Sequence, residues 1–279
     1  MIKGIDISYH NGDVDLAAAK ASGIDFVIIR MGYGDNIFSQ DDKQFLNNVR
    51  KARKAGLRWG LYLYSYARNM EQVESEVQHS ARLVRAVGRP PLGVWWDSED
   101  ASTSACNLKN FFSYYKNHVE TLTGVPVGLY SYKAFFDRNY SGIEKKEFPF
   151  WYARYNNSLP ADYYKNYCDI WQYSSDGRVR GIDGNCDINR MHRRSITAVL
   201  QVWRGLYGSG EERKKLLMDA GYNPLEVQKL VNEYGKAADD VLENKYGVAE
   251  ERVRRLETAG FNAYIVQQIV NIKVLECKA

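Results

Sequence analysis

Hydrophobic residues are arranged in two ways along the first 195 positions. Short runs of apolar, β-branched and aromatic residues are typical of β-strands. Eight such runs occur: GIDIS (4–8), FVIIRMGYG (26–34), WGLYLYSYA (59–67), GVWWDSE (93–99), VGLYSY (127–132), PFWYARY (149–155), IWQYS (170–174) and CDINRM (186–191). Longer segments with the character of helices lie between the earlier runs, and two of them end in a helix-closing glycine.

The order of these elements predicts the fold of residues 1–195. Strand and helix alternate about five times, and the last three strands follow with only loops between them. Such alternation indicates parallel βαβ units, and eight strands of nearly continuous hydrophobicity favour a closed barrel. We predict an α/β barrel that lacks helices at its C-terminal end. A doubly wound open sheet is the alternative, although no GxGxxG motif follows the first strand.

The sequence after residue 196 is helical in character and repeats itself at an offset of 39 residues. Residues 198–232 and 237–271 align without a gap and are identical at 15 of 35 positions. Each copy reads as three helical segments separated by YG and AG breaks, which predicts two three-helix bundles, at 197–236 and 237–279. A dimerisation or spacer bundle is the competing interpretation.

Composition excludes several classes of protein. No stretch approaches the roughly 18 apolar residues of a membrane span, and the start MIKGIDIS lacks the layout of a signal peptide. The net charge of +4 comes from the first 195 residues, and no basic run indicates nucleic acid. The scattered Cys106, Cys168, Cys186 and Cys277 predict free thiols and no metal site, with a Cys168–Cys186 disulfide as the alternative. We expect no cofactor.

Four carboxylates are the candidate chemistry of the barrel. Asp97 and Glu99 project to one side of their strand because residues two apart share a face, whereas Asp100 projects to the other. The first and last strands of a barrel are neighbours, which brings Asp6 and Asp187 to the same opening. Crowded, desolvated acids raise one another's pKa, so one of them stays protonated near neutral pH, as a glycosidase acid must. The alternative is that these acids cap helices or pair with arginines such as Arg30 and Arg154.

Aromatic residues on several strands favour a carbohydrate ligand, because pyranose rings stack on aromatic faces. Aromatic residues at strand spacing are also typical of a core, so we expect only some of them to contact substrate. The candidates for substrate contact are Tyr62, Tyr64, Tyr130, Trp171 and Arg30, with Tyr64 first.

These motifs together resemble the family 25 glycoside hydrolases, the Chalaropsis-type lysozymes. The resemblance covers residues 1 to about 192 and rests on GIDIS, FVIIRMGYG, GLYLYSYA, the WDSE tract and WQYSSDGRVRGIDGNCDIN. It implies a modified (β/α)5β3 barrel and N-acetylmuramidase activity on the β-1,4 bond between N-acetylmuramic acid and N-acetylglucosamine of peptidoglycan. It also implies that Glu99 is the general acid, that Asp97 is its partner, and that Asp6 and Asp187 complete the acidic cluster. Either a carboxylate or the 2-acetamido group of the substrate then stabilises the intermediate.

The C-terminal repeats resemble the CW_7 wall-binding repeats of some phage lysins, through YGxGEER, AGYN and VQxxVN. The resemblance implies binding of the muropeptide unit, and our candidate contacts are Arg213, Tyr222, Arg252 and Phe261. Arginine suits bidentate recognition of carboxylate or carbonyl groups. The second copy departs from the pattern at Val248, Ala249 and Phe261. The alternative for the arginines is an exposed pairing with a nearby Glu.

A phage or prophage endolysin fits all of these features. Such an enzyme waits in the host cytoplasm until a holin opens the membrane, does not insert into the membrane itself, and then acts on the bacterial wall. Two weak wall-binding sites on one chain raise residence on a repetitive polymer. The competing functions are a wall-binding protein whose barrel has lost catalysis and a chitinase-like glycosidase.

Overall fold

A computed structural model describes residues 2–142, 147–155 and 161–277, without the side chains of 161–163. The chain separates near Arg193 into two compact units, a barrel unit that holds the strands and a helical unit that follows it. No helix among the described residues is long and apolar enough to cross a membrane. All four cysteines are thiols, as predicted, so the alternative of a Cys168–Cys186 disulfide is wrong.

Eight strands close into a barrel in sequence order. They are β1 (Ile2–Ile7), β2 (Phe26–Tyr33), β3 (Arg58–Tyr64), β4 (Val94–Asp97), β5 (Val127–Tyr132), β6 (Phe150–Ala153), β7 (Ile170–Gly177) and β8 (Cys186–Met191). Strands β1 to β7 pair in parallel, whereas β8 runs antiparallel to both β7 and β1. The predicted barrel is confirmed and the open sheet is wrong.

One α-helix follows each of the first five strands: α1 (Leu16–Ala21), α2 (Phe45–Ala55), α3 (Met70–Val87), α4 (Leu108–Thr123) and α5 (Lys133–Asn139). The described residues between β6 and β8 contain strand β7 and, as their one helical segment, the short 3-10 helix Ala161–Asn166. Helix α2 ends at Gly56, whose φ of 64° is the left-handed conformation that glycine adopts without strain. Among its described residues, the barrel thus has five α-helices after its first five strands and three further strands, as the resemblance implies.

The two tryptophans of β4 lie on opposite faces of the strand. Trp95 belongs to the hydrophobic cluster inside the barrel, where its ring meets that of Trp151 edge to face at 6.0 Å. Trp96 faces the helices, stacks on Tyr115 at 5.6 Å and donates from Nε1 to the buried Glu76 at 2.8 Å. Asp97 therefore has the parity of Trp95 and projects into the barrel opening.

The helical unit has five helices: α6 (Ile196–Trp203), α7 (Gly210–Asp219), α8 (Pro224–Leu242), α9 (Ala249–Thr258) and α10 (Ala263–Glu276). The predicted three helical segments per repeat are present. One feature differs from two separate bundles, because the third segment of the first repeat and the first segment of the second repeat form the single helix α8. A single hydrophobic core holds both copies, including the equivalent Leu217 and Leu256.

Candidate active site

The four acids lie at one end of the barrel. Asp97 is the last residue of β4, and Glu99 lies two residues beyond it, so the predicted strand 93–99 ends earlier than expected. Asp6 of β1 pairs in register with Asp187 of β8. Because β8 is antiparallel, its second residue lies where the parallel strands have their C-terminal ends, which is the end where barrel enzymes build their sites.

Asp6 is a buried carboxylate held by two amides. Gln172 donates from Nε2 to its Oδ2 at 3.0 Å, and Asn189 donates from Nδ2 to the same oxygen at 2.7 Å. Burial raises the pKa of Asp6 to about 6, and these hydrogen bonds limit the rise because they stabilise the ionised form.

Asp187 holds the proton that the two neighbouring carboxyls share. Burial, then the charge of Asp6 and a hydrogen bond with Asp6, together raise its pKa to about 8. Asp6 has two amide donors that favour its ionised form, so the proton resides on Asp187.

Asp97 is the most enclosed of the four acids and has an unused oxygen. Its side chain is buried, and its Oδ1 has no hydrogen-bond partner among the described residues. Burial raises its pKa well above the usual range, the charge of Glu99 adds to the rise, and Arg30 opposes it. A buried acceptor without a donor is costly, which leaves Oδ1 ready for a donor from a ligand.

Glu99 has the titration that a general acid needs. Burial raises its pKa to about 7, and the charge of Asp6 raises it as well. A hydrogen bond with Tyr130 and the charge of Arg30 act in the opposite direction. Glu99 can therefore be protonated at neutral pH while Asp6 beside it is ionised.

Arg30 lies close to the acids without forming an ion pair with any acid of the described residues. Its Nε donates to the Gly32 carbonyl at 3.4 Å, and its guanidinium lies over the rings of Tyr33 and Tyr64 at 5.3 and 5.5 Å. The interpretation that the acids serve only to neutralise Arg30 is therefore not supported at this position.

Asp100 lies beyond the end of β4, so strand parity does not decide its direction, and its carboxylate has a structural contact. Its Oδ1 accepts the backbone N–H of Ser102 and begins a short 3-10 helix at Ala101–Thr103. Its other oxygen lies 3.5 Å from the hydroxyl of Tyr64. Asp100 thus fixes the chain direction after Glu99 and contacts one of the aromatic residues of the opening.

Three of the four aromatic candidates face the acids. Tyr62 is half-buried against Trp151, edge to face at 5.9 Å, and Tyr64 is partly exposed above it. Tyr130 is buried, and its hydroxyl donates to Gln172 Oε1 at 3.0 Å and lies close to Glu99. The charges of Asp97 or Glu99 contribute to the raised pKa of all three tyrosines, after burial, which places the hydroxyls near the carboxylates.

Trp171 is placed differently from its prediction as a substrate contact. It has the opposite parity to Gln172, is only 4% exposed, and stacks on Tyr164 with ring centroids 3.8 Å apart. Its Nε1 donates to the backbone carbonyl of Arg154 at 2.9 Å. The ring fills the layer outside the barrel, so the prediction for Trp171 is wrong.

Sequence reasoning missed three polar residues of the site. Gln172 and Asn189 bind Asp6, and Tyr155 donates to Gln172 Oε1 at 3.0 Å. The alternation of faces along a strand could have identified both amides, because residues two apart lie on the same face. Gln172 lies two residues after the inward-facing Ile170, and Asn189 lies two residues after Asp187.

The predicted wall-binding arginines have the same contacts in both repeats. Arg213 donates from Nε to the Gly208 carbonyl at 3.0 Å and from Nη1 to Gln228 at 3.1 Å. Arg252 donates in the same way to Gly247 at 3.0 Å and to Gln267 at 3.2 Å. Neither side chain makes an ion pair with a Glu of the described residues, so the alternative of a simple surface salt bridge does not hold.

Tyr222 and Phe261, the two other wall-binding candidates, differ in exposure. Tyr222 is only 4% exposed, and its hydroxyl lies 3.2 Å from Thr197 in the core of the helical unit. Phe261 is partly exposed and meets Tyr234 edge to face at 5.1 Å. A cleft of about 1300 Å³ opens beside Phe261, and Arg252, Gln267 and Tyr264 also line it.

Known families match both units. A family model described as glycosyl hydrolases family 25 matches residues 5–182, and the CW_7 repeat model matches residues 198–234 and 236–274.

Two curated proteins are similar to the barrel unit. The autolytic lysozyme of Clostridium acetobutylicum is 30% identical over 200 residues, which are 67% of this chain and 55% of the lysozyme. Lysozyme M1 of Streptomyces globisporus is 23% identical over 205 residues, which are 68% of each chain. The match thus spans about half the length of the first of these relatives.

Solved structures show the same barrel. The modular autolysin LytC of Streptococcus pneumoniae is 26% identical with a TM-score of 0.56, over 67% of this chain and 46% of that one. The catalytic domain of an endolysin from a bacteriophage of Listeria monocytogenes is 24% identical with a TM-score of 0.56, over 72% of this chain and 97% of that one.

Proposed function

The chain belongs to glycosyl hydrolase family 25 and carries two CW_7 repeats, and from this premise we propose that it is an N-acetylmuramidase of peptidoglycan. The bond it cleaves is the β-1,4 linkage between N-acetylmuramic acid and N-acetylglucosamine. One observation carries the proposal: Glu99 has a pKa of about 7 at the opening of a barrel where three further carboxyls crowd around it.

Glu99 is the general acid of this mechanism. Its protonated carboxyl gives its proton to the glycosidic oxygen as the bond breaks, and its carboxylate later takes a proton from the attacking water. The negative charge of Asp6 stabilises the positive charge that develops on the sugar ring. Asp187 keeps its proton and hydrogen-bonds Asp6, which holds Asp6 in place.

Asp97 acts on the intermediate through its unpartnered Oδ1. In the ionised form of Asp97, this oxygen either attacks the anomeric carbon or accepts a hydrogen bond from the 2-acetamido N–H, which then lets the acetamido oxygen attack. A substrate without the acetamido group separates the two routes. Cleavage of that substrate at a comparable rate indicates a covalent aspartyl intermediate, whereas loss of cleavage indicates assistance by the substrate.

Tyr62, Tyr64 and Tyr130 are the proposed sugar contacts, with Arg30 beside them. Their positions near the acids support this role, and the partly exposed ring of Tyr64 offers a stacking face. Trp171 is not part of the proposal because it lies outside the barrel.

Mass spectrometry of wall fragments tests the enzymatic proposal directly. Purified peptidoglycan digested by the full chain is expected to yield fragments that end in reducing N-acetylmuramic acid. Fragments that end in reducing N-acetylglucosamine would assign a different bond, and an intact wall would indicate a binding protein without catalysis. Faster cleavage of chitin oligomers than of peptidoglycan would favour a chitinase-like enzyme.

The helical unit supplies the wall binding in this proposal. Each of the two guanidinium groups, of Arg213 and of Arg252, is held in one orientation by hydrogen bonds to a glycine carbonyl and a glutamine side chain. A guanidinium held in this way suits recognition of the carboxylate or carbonyl groups of a muropeptide. Phe261 belongs to the second site because it lines the cleft with Arg252. Tyr222 is not part of the proposal, because it is only 4% exposed and belongs to the core, so its prediction as a ligand contact is wrong. Sedimentation of the full chain with purified walls, and its release by soluble muropeptides, tests the assignment.

The setting of the activity completes the proposal. We propose that the protein waits in a bacterial host cytoplasm and reaches the wall after a holin opens the membrane. The likeness to a phage endolysin domain supports this part. Expression in a host with and without a holin tests it, because lysis is expected only when the holin is present.

A further inference from the structure

Two amides that bind Asp6 differ in what they hold at their other end. Gln172 and Asn189 both donate to Oδ2 of this carboxylate, at 3.0 and 2.7 Å. The oxygen of Asn189 accepts the indole N–H of Trp151 at 2.8 Å. The oxygen of Gln172 instead accepts two phenol hydroxyls, from Tyr130 and Tyr155, both at 3.0 Å.

Asp6 fixes the orientation of the Gln172 amide. An ionised carboxylate only accepts hydrogen bonds, so the amide nitrogen must face Asp6 and the amide oxygen must face the two tyrosines. A carbonyl oxygen has two lone pairs and can accept both hydroxyls. The single hydroxyl hydrogen of Tyr130 is therefore directed at Gln172.

A hydrogen bond from the Tyr130 hydroxyl to Glu99 lowers the pKa of Glu99, and the one hydrogen of Tyr130 restricts when this hydrogen bond can form. While Tyr130 donates to Gln172, its oxygen can only accept a hydrogen bond, and Glu99 can only give one when its carboxyl is protonated. Once Glu99 has lost its proton, the carboxylate needs a donor, and the Tyr130 hydrogen must turn towards it. Tyr155 then remains as the donor to Gln172, so neither the Gln172 oxygen nor the Glu99 carboxylate is left without a donor.

We propose that Gln172 is a positioning residue that keeps Glu99 protonated in the resting enzyme by holding the hydroxyl hydrogen of Tyr130. The inference rests on the proposed role of Glu99 as the general acid. In the first half of the reaction the Glu99 proton moves to the glycosidic oxygen, which takes the electron pair of the broken bond. The Tyr130 hydroxyl turns to the new carboxylate and keeps its own hydrogen. When Glu99 takes a proton from water, the hydroxyl turns back.

Other charged and titratable groups surround Glu99, and the test must separate their effect on Glu99 from the effect of the Tyr130 hydroxyl. They are Asp6, Asp97, Asp100, Asp187, Arg30, Tyr64, Tyr130 and Tyr155. Asn189 provides the separation, because it donates to the same oxygen of Asp6 as Gln172 does and holds no tyrosine of this group.

The test is the pH dependence of kcat for the full chain on purified peptidoglycan. The basic limb reports the pKa of Glu99 in the complex, since the general acid must be protonated. Gln172→Met frees the Tyr130 hydrogen for the carboxylate, which lowers this pKa, so the basic limb is expected to move about one unit towards lower pH. Asn189→Leu is expected to move it by clearly less. Tyr130→Phe removes the donor to the carboxylate and is expected to move the limb towards higher pH.

A double variant isolates the route through the hydroxyl. When Gln172→Met is added to Tyr130→Phe, the further shift should be no larger than that caused by Asn189→Leu. The proposal would be overturned if Gln172→Met and Asn189→Leu shifted the basic limb equally. It would also be overturned if Gln172→Met shifted the limb in the Tyr130→Phe background as much as it does in the wild type. If Gln172→Met does not fold, Tyr155→Phe serves instead. It leaves Gln172 dependent on Tyr130 alone, so the basic limb should move to higher pH, and a limb that stays in place would also overturn the proposal.

A measurement without substrate distinguishes failure of this inference from failure of the proposed function. Carbon-13 NMR titration of the labelled Glu99 carboxyl gives the same comparison of variants in the free protein. If the wild type releases no muropeptides, the proposed function fails, and the NMR shifts still decide whether Gln172 acts on Glu99. If the wild type is active and neither the limb nor the NMR titration differs between Gln172→Met and Asn189→Leu, only the present inference fails.

Discussion

In the barrel, the four acids come from three strands and one loop, and each acid has different neighbouring residues. In the helical unit, by contrast, Arg213 and Arg252 make equivalent contacts in the two repeats. Asp6 has two amide donors and Asp97 has an unpartnered oxygen, so neither can take over the role of the other. Each arginine instead donates to a glycine carbonyl and a glutamine at nearly equal distances. Catalysis should therefore be lost with one residue, and binding should decline stepwise.

The largest expected effect concerns Glu99. Glu99→Gln removes the transferable proton and is expected to lower kcat by about 10²–10⁴-fold, with sedimentation on walls unchanged. Asp100→Asn is the matched control, because it alters a carboxylate one residue away that caps a 3-10 helix, and it should retain most of the activity. Reducing-sugar release checks the loss of activity, and sedimentation of the same preparations with walls checks that binding is unchanged. Comparable losses in the two variants would contradict the assignment of the acid.

The next effect tests the stepwise decline of binding. Arg252→Ala is expected to weaken the binding of walls by about 10-fold, since a hydrogen bond from a charged group contributes about 1.5–3 kcal/mol. Arg213→Ala together with Arg252→Ala should weaken it much further, because the gain from two linked sites is lost.

The repeats offer their own control for these arginines. Lys215→Ala together with Arg254→Ala removes the same charge from exposed, equivalent positions of α7 and α9, and should leave binding nearly unchanged. Equal losses in the two double variants would show that net charge, and no specific pocket, attracts the wall.

A smaller effect is expected on stability. The pKa of Glu99 is raised from its ordinary 4.5 to about 7, so the folded protein binds more protons than the unfolded chain between these pH values. Stability that this group provides at low pH is therefore lost as pH rises towards 7. Glu99→Gln should then be more stable than the wild type by about 1–2 kcal/mol at pH 8 and nearly equal at pH 4. Denaturant unfolding at both pH values checks the sign, which is opposite for a carboxyl that stabilises the fold by ion pairing.

The smallest effect distinguishes the two repeats from each other. The first residue of α7 is Gly210 with φ of 55°, and its equivalent in α9 is Ala249 with φ of 50°, a conformation that alanine adopts under strain. Ala249→Gly should stabilise the protein by about 1 kcal/mol, and Gly210→Ala should destabilise it by a similar amount. Thermal unfolding of the two variants checks this, and a loss of stability in Ala249→Gly would indicate that the alanine side chain contributes packing that outweighs its backbone strain.

Alternation along the strands was sufficient to predict much of the barrel opening. The parity of Asp97 separated it from Trp96, and the closure of the barrel brought Asp6 to Asp187. The direction of β8 did not follow from the pattern of the sequence, although it decides that Asp187 lies at the opening. Trp171 was misjudged because its residue type was given more weight than its parity, and Gln172 was overlooked for the same reason.

The helical unit was predicted in a different way, because its two copies act as a small alignment. Both copies retain an arginine, a glutamine 15 residues later and an asparagine 4 residues after that. The glutamines donate in turn to Asn232 and Asn271, at 2.8 and 3.0 Å. The contact of Arg213 with Gln228 joins α7 to α8, and helical periodicity within one segment contains no information on contacts between helices. The glutamines and asparagines were therefore not predicted as partners of the arginines, although their repetition in both copies is the signal that could have identified them.

Helix α8 has a geometric consequence for the recognition of a polymer. It runs without interruption from Pro224 to Leu242 and belongs to both repeats, so the distance and the angle between the two binding sites are fixed by its helical pitch. Insertion of one residue in its middle would turn the second site by about 100° and move it by about 1.5 Å. A change in the phase of α8 would therefore change the spacing and the relative orientation of the two proposed wall-binding sites.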